Sequence, residues 1–288
     1  MFGVSSMTAR LYKVAVMQPG RSLIDADPDL WHYGPLFDPN LIKGIHASFV
    51  QILKNNDIEI YWIEQHGHNI ADAVFTYDAS LMTPSGAILM SPGKKLRLGE
   101  QKIHQKFYEN LNIDIIGSIE NKGRAEAGDT LWLDNNTLLI GRGFRTNNEG
   151  IYQLKKIITP MGIKAHVFDL PTHLGPDACL HLMSLISLVD TSTALVCMEL
   201  LPTDLLKLLK NRGFRLIEAP YQEFEASNTL STNVLALKPG SCIMLDGLPQ
   251  TKKALLDAGI KIQVFDGDAL CIGCEGGPTC LTRPLLRL

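Results

Sequence analysis

Thr130-Leu-Trp-Leu133, Thr137-Leu-Leu-Ile140, Asn148–Thr159 and Ala165–Leu170 together spell the pattern that decides the fold. The first two runs are short, apolar and separated by a polar turn, the signature of an antiparallel hairpin. In Asn148–Thr159 the apolar residues Ile151, Leu154 and Ile158 return at helical spacing. Ala165–Leu170 is again strand-like. The unit is strand, strand, helix, strand.

Four more stretches repeat it. Leu41–Asn56 places Ile45, Phe49 and Ile52/Leu53 on one helical face and is followed by strand Ile58–Ile63. Gly99–Leu111 carries Ile103, Phe107 and Leu111 ahead of strand Asp114–Ile119. Thr203–Arg212 stops at Gly213, a natural helix end, before strand Arg215–Glu218. Leu248–Ala258 stops at Gly259 before strand Lys261–Phe265. Paired short strands are expected between the units: Ala73–Thr76 with Ala87–Met90, Leu185–Val189 with Thr193–Met198, and Ser231–Leu237 with Cys242–Leu245. Helix starts fall roughly 45 to 60 residues apart, a supersecondary repeat. Five such α/β units can close into a ring, which leaves only short sheet edges, with helices outside and strand ends around a central channel. An open doubly wound sheet would need single strands between helices, not hairpins.

The 288 residues, 45% of them apolar, suit one large domain, 1–288, with a polar and flexible segment at residues 1–11. A net charge of −3 provides no basic face for nucleic acid, and no apolar run approaches a membrane span. All six cysteines lie beyond residue 178, unlike the spread framework of a secreted scaffold, so a cytoplasmic setting is expected. Cys271 and Cys274 form a C-x-x-C pair without a second pair or a His pair for zinc, and read as structural.

Polar groups recur where strands end. They are Asp78 in Phe75-Thr-Tyr-Asp78, Arg97 ahead of a helix, Glu126 and Asp129 in Glu126-Ala-Gly-Asp129, Arg145 in Arg145-Thr-Asn147, His181 at an apolar strand start, and Cys280 after Gly276-Gly-Pro-Thr. Each has a plain alternative: turn aspartates bonding their own backbone, solvated arginines, a core histidine, a buried cysteine. In a closed ring, however, they converge on one end of the channel. Paired acids, two arginines, a histidine and a cysteine suit a ligand with a cationic head and an anionic tail, and covalent chemistry upon it. Residues 20–35 hold Asp, Pro, Trp, His and Tyr in a loop expected to form a lid or rim.

From about Tyr12 to the end, these segments resemble the guanidino-group-modifying enzymes of the pentein superfamily, which are five-unit ββαβ propellers. The group includes dimethylarginine dimethylaminohydrolase, arginine deiminase, arginine dihydrolase and the amidinotransferases. The most specific matches are Glu126-Ala-Gly-Asp129 and Cys179-Leu-His181-Leu, with Arg145-Thr-Asn147 and Gly276-Gly-Pro-Thr-Cys280 beside them. Ala127 replaces a family glycine. Met183 stands where deiminases and amidinotransferases carry Asp, which favours the dimethylarginine enzymes. Ser91 stands where several of those enzymes carry Arg, leaving Arg97 as the better carboxylate ligand. The Gly-Gly-Pro-Thr-Cys-Leu-Thr-Arg-Pro ending is closer to arginine-dihydrolase-like sequences.

The resemblance implies a cysteine-dependent hydrolase of a guanidino C–N bond acting on arginine or an N-methylated arginine. Cys280, His181 and Glu126 are the implied catalytic residues. Asp78 and Glu126 would hold the guanidinium, Asp129 would set the turn, and Arg97 and Arg145 would hold the substrate carboxylate. The implied partner is a small guanidino molecule, with no nucleic acid, membrane, metal or cofactor, and with a homodimer as the open assembly state. An amidinotransferase, an arginine dihydrolase and a non-catalytic pentein, such as the ribosome anti-association factor, are the alternatives.

Overall fold

The computed structural model describes residues 1–64, 69–175, 178 and 180–288. Cys179, quoted above with the histidine motif, lies outside the described residues.

The first unit joins the two chain segments furthest apart in sequence. β1 (Leu11–Val16) is followed by the short helices α1 (Arg21–Ile24) and α2 (Pro28–Trp31), then by α3 (Ile42–Asn55) and β2 (Glu59–Trp62). β1 pairs parallel with β2 and antiparallel with the last strand (Arg283–Arg287). The second unit is β3 (Ser80–Thr83), β4 (Gly86–Leu89), α4 (Glu100–Asn110) and β5 (Ile115–Ser118). The third is β6 (Thr130–Asp134), β7 (Thr137–Arg142), α5 (Asn148–Ile158) and β8 (Lys164–Asp169). The fourth is β9 (Ile186–Asp190), β10 (Thr193–Val196), α6 (Thr203–Asn211) and β11 (Arg215–Glu218). After α7 (Tyr221–Ala226), the fifth is β12 (Leu235–Lys238), β13 (Ser241–Leu245), α8 (Pro249–Asp257) and β14 (Lys261–Phe265). Arg283–Arg287 is β15.

Each unit is a separate three-stranded sheet with one antiparallel and one parallel pair. Neighbours touch in chain order: β15 on β3, β9 on β12, and β12 on β1, which completes the ring. Asn56 and Gln263 exchange amide hydrogen bonds of 3.1 Å across that last junction. Between the second and third units, Ser91 bridges Ala125. The α/β propeller of five ββαβ units expected from the repeat is therefore the observed architecture.

Inner strands such as Leu131–Leu133 and Leu138–Ile140 are buried along their length, as continuous apolar runs demand. The helices bury one stripe each. In α5 the stripe is Ile151, Leu154 and Ile158, and the helix starts where Asn147 accepts from Gly150 N at 2.8 Å.

Three expectations need correction. The run Ala73–Thr76 is not a strand: Ala71–Val74 is a 3-10 turn, and the strand is Ser80–Thr83. A short apolar run carries no periodicity that separates turn from strand. Here Phe75 O is taken by Arg97 Nη2 at 3.0 Å instead of by a neighbouring strand. The hairpin bend lies at Thr83-Pro-Ser-Gly86, where Thr83 Oγ1 donates to Gly86 O and Gly86 adopts φ +140°. Likewise Leu230–Thr232 is a 3-10 turn, and the strand placed at Ser231 starts at Leu235. Residues 1–11 are also tied down. Gly3 N donates to Leu285 O, Arg287 N donates to Gly3 O, and Val4 is buried. The added pairing satisfies backbone groups of β15 that would otherwise form an open edge. No helix is long and apolar enough to cross a membrane among the described residues.

Candidate active site

Ahead of the first strand of each sheet the chain makes a tight turn, and these turns deliver the site. Asp78 precedes β3, Glu126 precedes β6, His181 precedes β9 and Cys280 precedes β15. Two small cavities, of about 40 and 30 Å³, meet at Asp78, His181, Glu275 and Cys280. The first is also lined by Trp31, Asp72, Lys94, Arg97 and Arg145, the second by Met183 and Asn233.

Glu126 is fully buried and collects donors from three directions. His181 Nε2 stands 2.6 Å from Oε2, and Arg145 Nη1 donates to the same oxygen at 3.2 Å. Oε1 accepts from Gly93 N at 2.7 Å and Lys94 N at 3.2 Å. Burial alone would push this carboxyl up. Arg145 and His181 outweigh it and hold the group well below the ordinary carboxylate range. Gly93 is a requirement of space, because a Cβ there would stand 2.7 Å from the Arg145 backbone.

Asp78 is held by Arg97 Nη1 at 2.5 Å and by Gly128 N at 2.8 Å. Arg97, expected to bind a substrate carboxylate, lines the cavity but spends its N–H groups on protein partners. Nε and Nη2 reach Glu100, at 3.0 and 2.8 Å, and Nη2 also meets Phe75 O. Burial works against its charge, but Glu100 and Asp78 more than restore it. The cost falls on Glu100, which burial pushes up to about 7.

Asp129 sits behind His181. Its Oδ1 accepts from Leu182 N at 2.9 Å, and burial pushes its carboxyl up to about 6. It therefore fixes the turn that carries the histidine. His181 caps that turn reciprocally with Ser184. Gly128 lies between the two halves of the site. A Cβ there would meet His181 Nδ1 at 2.7 Å and Asp78 Oδ1 at 2.8 Å. Ala127, the departure noted in the acidic motif, is fully buried without disturbing this contact.

Cys280 is half-buried in the turn closed by Leu281 N to Gly277 O at 3.1 Å. The preceding glycines have negative φ; they are small because Phe75 and Asn233 press upon them. A Cβ on Gly276 would meet the Phe75 ring at 2.3 Å, and one on Gly277 would meet the Asn233 amide at 2.5 Å. Burial pushes the thiols of Cys197 and Cys242 up, to about 11 and about 12, and raises Cys271 and Cys274 as well. These four are the weak nucleophiles of the set. Cys274 nevertheless lines the first cavity, which the C-x-x-C spacing gave no reason to expect.

Asp78, Glu126 and His181 bring one polar side-chain atom each, a carboxylate oxygen or an imidazole nitrogen, to within 4.8 Å of one another. Arg97 pairs with Asp78 and Arg145 with Glu126. Asp78 and His181 line both cavities while Glu126 is enclosed behind them, so Asp78 is the carboxylate placed to meet a planar cation with several N–H groups.

Of residues 20–35, Trp31 and His32 line the first cavity, and Lys94 Nζ lies 5.1 Å from the centre of the Trp31 ring. Lys94 also pairs with Asp72 at 2.7 Å, and Asp72 accepts from Tyr33 OH at 2.8 Å. Asp72, Lys94 and Asn233 were not singled out in the sequence. Lys94 lies in the stretch leading to Arg97, Asn233 in a run expected as strand, and Asp72 just before another; only convergence gives them importance.

Among characterised relatives, the N(G),N(G)-dimethylarginine dimethylaminohydrolase of Pseudomonas aeruginosa is 26% identical over 266 residues, covering 92% of this chain and 95% of that one. A structure of the Pseudomonas aeruginosa enzyme, in a cysteine-to-serine variant complexed with citrulline, superposes with TM-score 0.79 at 23% identity over 97% of this chain and all of that one. An amidinotransferase of saxitoxin biosynthesis from Microseira wollei gives 0.80 at 17% identity, covering 99% of this chain and 97% of that one. The fold is thus shared by hydrolases and transferases alike. Residues 41–285 match the family model described as N,N dimethylarginine dimethylhydrolase, eukaryotic, and the chain belongs to that family.

Proposed function

We propose that the protein hydrolyses a guanidino C–N bond of arginine or an N-methylated arginine, with Cys280 as nucleophile. The observation that carries this reading is the meeting of Cys280, the His181–Glu126 pair and Asp78 at the junction of two cavities. A guanidinium carbon is a poor electrophile because addition breaks its resonance. Acceptors that keep it charged and flat before attack reduce that barrier.

Asp78 takes N–H groups of the guanidinium, held for the task by Arg97 and Gly128 N. Cys280 thiolate adds to the central carbon, forming a C–S bond. His181 passes its proton to the departing amine as the C–N bond breaks, leaving a thiouronium on sulfur. Water then adds, giving one proton to His181, and the C–S bond breaks as the remaining hydroxyl proton passes to solvent, releasing the ureido product and restoring the thiolate. Glu126 orients the imidazole and stabilises its protonated form. Arg145 is assigned to the substrate carboxylate. Arg97 is assigned to positioning Asp78, because its N–H groups already meet Glu100, Asp78 and Phe75 O. The buried thiols Cys197, Cys242, Cys271 and Cys274 fit a reducing, cytoplasmic setting.

The test is an assay of arginine, the methylarginines, agmatine and smaller guanidino compounds for ureido product and released amine. Cys280→Ala is expected to lower turnover by roughly a thousandfold or more, since nucleophile and base act as a unit. A variant with wild-type turnover removes Cys280 from the chemistry. An amidino group transferred to an added amine would instead identify a transferase.

A further inference from the structure

Four of the five sheets place a chemistry-bearing residue just ahead of their first strand: Asp78, Glu126, His181 and Cys280. The fifth places Asn233 there, two residues before β12. Asn233 is 6% exposed and lines the smaller of the two cavities. Its Nδ2 lies 3.2 Å from Cys280 Sγ, and its Oδ1 accepts from Thr279 N at 3.0 Å.

The second contact fixes the orientation of the first. A backbone N–H can only donate, so the amide atom facing Thr279 N must be the oxygen. The NH₂ group is thereby turned to the sulfur, where it donates. Gly277 guards this arrangement, since any side chain there would strike the amide. A hydrogen bond to a charged acceptor is stronger than one to its neutral form, so the donor favours thiolate over thiol.

We propose that Asn233 is a further catalytic residue: its amide N–H donates to Cys280 Sγ, holding the sulfur as a thiolate at the junction of the two cavities. The inference rests on the reading of Cys280 as nucleophile. The bond also has a second use. When the thiouronium collapses, the leaving sulfur regains negative charge, and the same N–H receives it.

The experiment is alkylation of Cys280 by iodoacetamide, followed by mass spectrometry of the Cys280 peptide from about pH 6 to 10, spanning the ordinary thiol range. Wild type is compared with Asn233→Ala and Asn233→Asp. The aspartate keeps the size and the acceptor for Thr279 N, but sets an anion against the sulfur, and it carries the test if the alanine variant does not fold. Both variants are expected to react roughly tenfold slower at neutral pH, the weight of one charge-assisted hydrogen bond. The deficit is expected to close at high pH, where every form is thiolate. Superimposable profiles overturn the proposal. So does a rate lowered equally at all pH values, which is the mark of a purely structural residue. Because alkylation needs no guanidino compound, a displaced profile in a protein that turns none over keeps this inference and removes the proposed reaction. Normal turnover with an undisplaced profile does the reverse.

Discussion

At the scale of single residues, the site is governed by what small side chains leave room for. Gly128 has no special φ; its importance is the 2.7–2.8 Å gap its Cβ would close against His181 and Asp78. Gly128→Ala is therefore expected to lower turnover about tenfold to a hundredfold, through displacement of reacting groups, while the melting temperature moves by only a few degrees. Steady-state kinetics beside a thermal melt check it, and equal turnover would mean that the two side chains tolerate the methyl. In the sequence, the glycine stood inside a recognised acidic motif, so its position was legible. Its reason was not: neither Asp78 nor His181 is near it in the chain. The same holds for Arg97. Its residue type suggested a carboxylate ligand, and only the fold reveals Glu100 and Asp78 as its partners.

Elements carry these residues through their ends. The long helices and central strands were readable because a stripe such as Ile151, Leu154 and Ile158 repeats with the helical period. The 3-10 turns that hold the site were not, because three residues cannot display a period. Asn147 illustrates how an element end supports the site. Its Oδ1 accepts from Gly150 N at 2.8 Å and Arg124 N at 3.0 Å, and its Nδ2 donates to Lys122 O at 2.9 Å. It thus caps α5 and ties that helix to the segment entering Glu126. Asn147→Ala is expected to destabilise the fold by about 1–2 kcal/mol, the usual weight of a helix N-cap, measured by urea denaturation. No change in the denaturation midpoint would mean that water replaces the amide at each contact.

The whole molecule depends on closure between its first and fifth units. Arg287 on β15 is buried and bridges them, with Nη1 donating to Ala9 O at 2.6 Å and Nη2 to Ala236 O at 2.7 Å. Burial pulls its pKa down to about 10, a sign of how little water reaches it. Arg287→Leu keeps much of the volume but leaves both carbonyls without that donor. It is expected to cost about 3 kcal/mol or more, with denaturant unfolding as the measure. A variant of unchanged stability would show that the strand pairing of β1 with β15 closes the ring unaided. Closure also explains the reach of the site: His181 and Glu126 are 55 residues apart, and Asn233 and Cys280 are 47 apart. The sequence by itself determined the repeating unit, its fivefold number and the order of the acids, arginines, histidine and cysteine along the chain. Those are local facts, written in periodicity and residue type. The tertiary structure alone decided the partnerships: Arg97 with Asp78, Glu126 with His181, Asn233 with Cys280. The last two join turns on different sheets, and their distances exist only once the ring is closed; the first joins two turns of the second unit, which its own hairpin brings together.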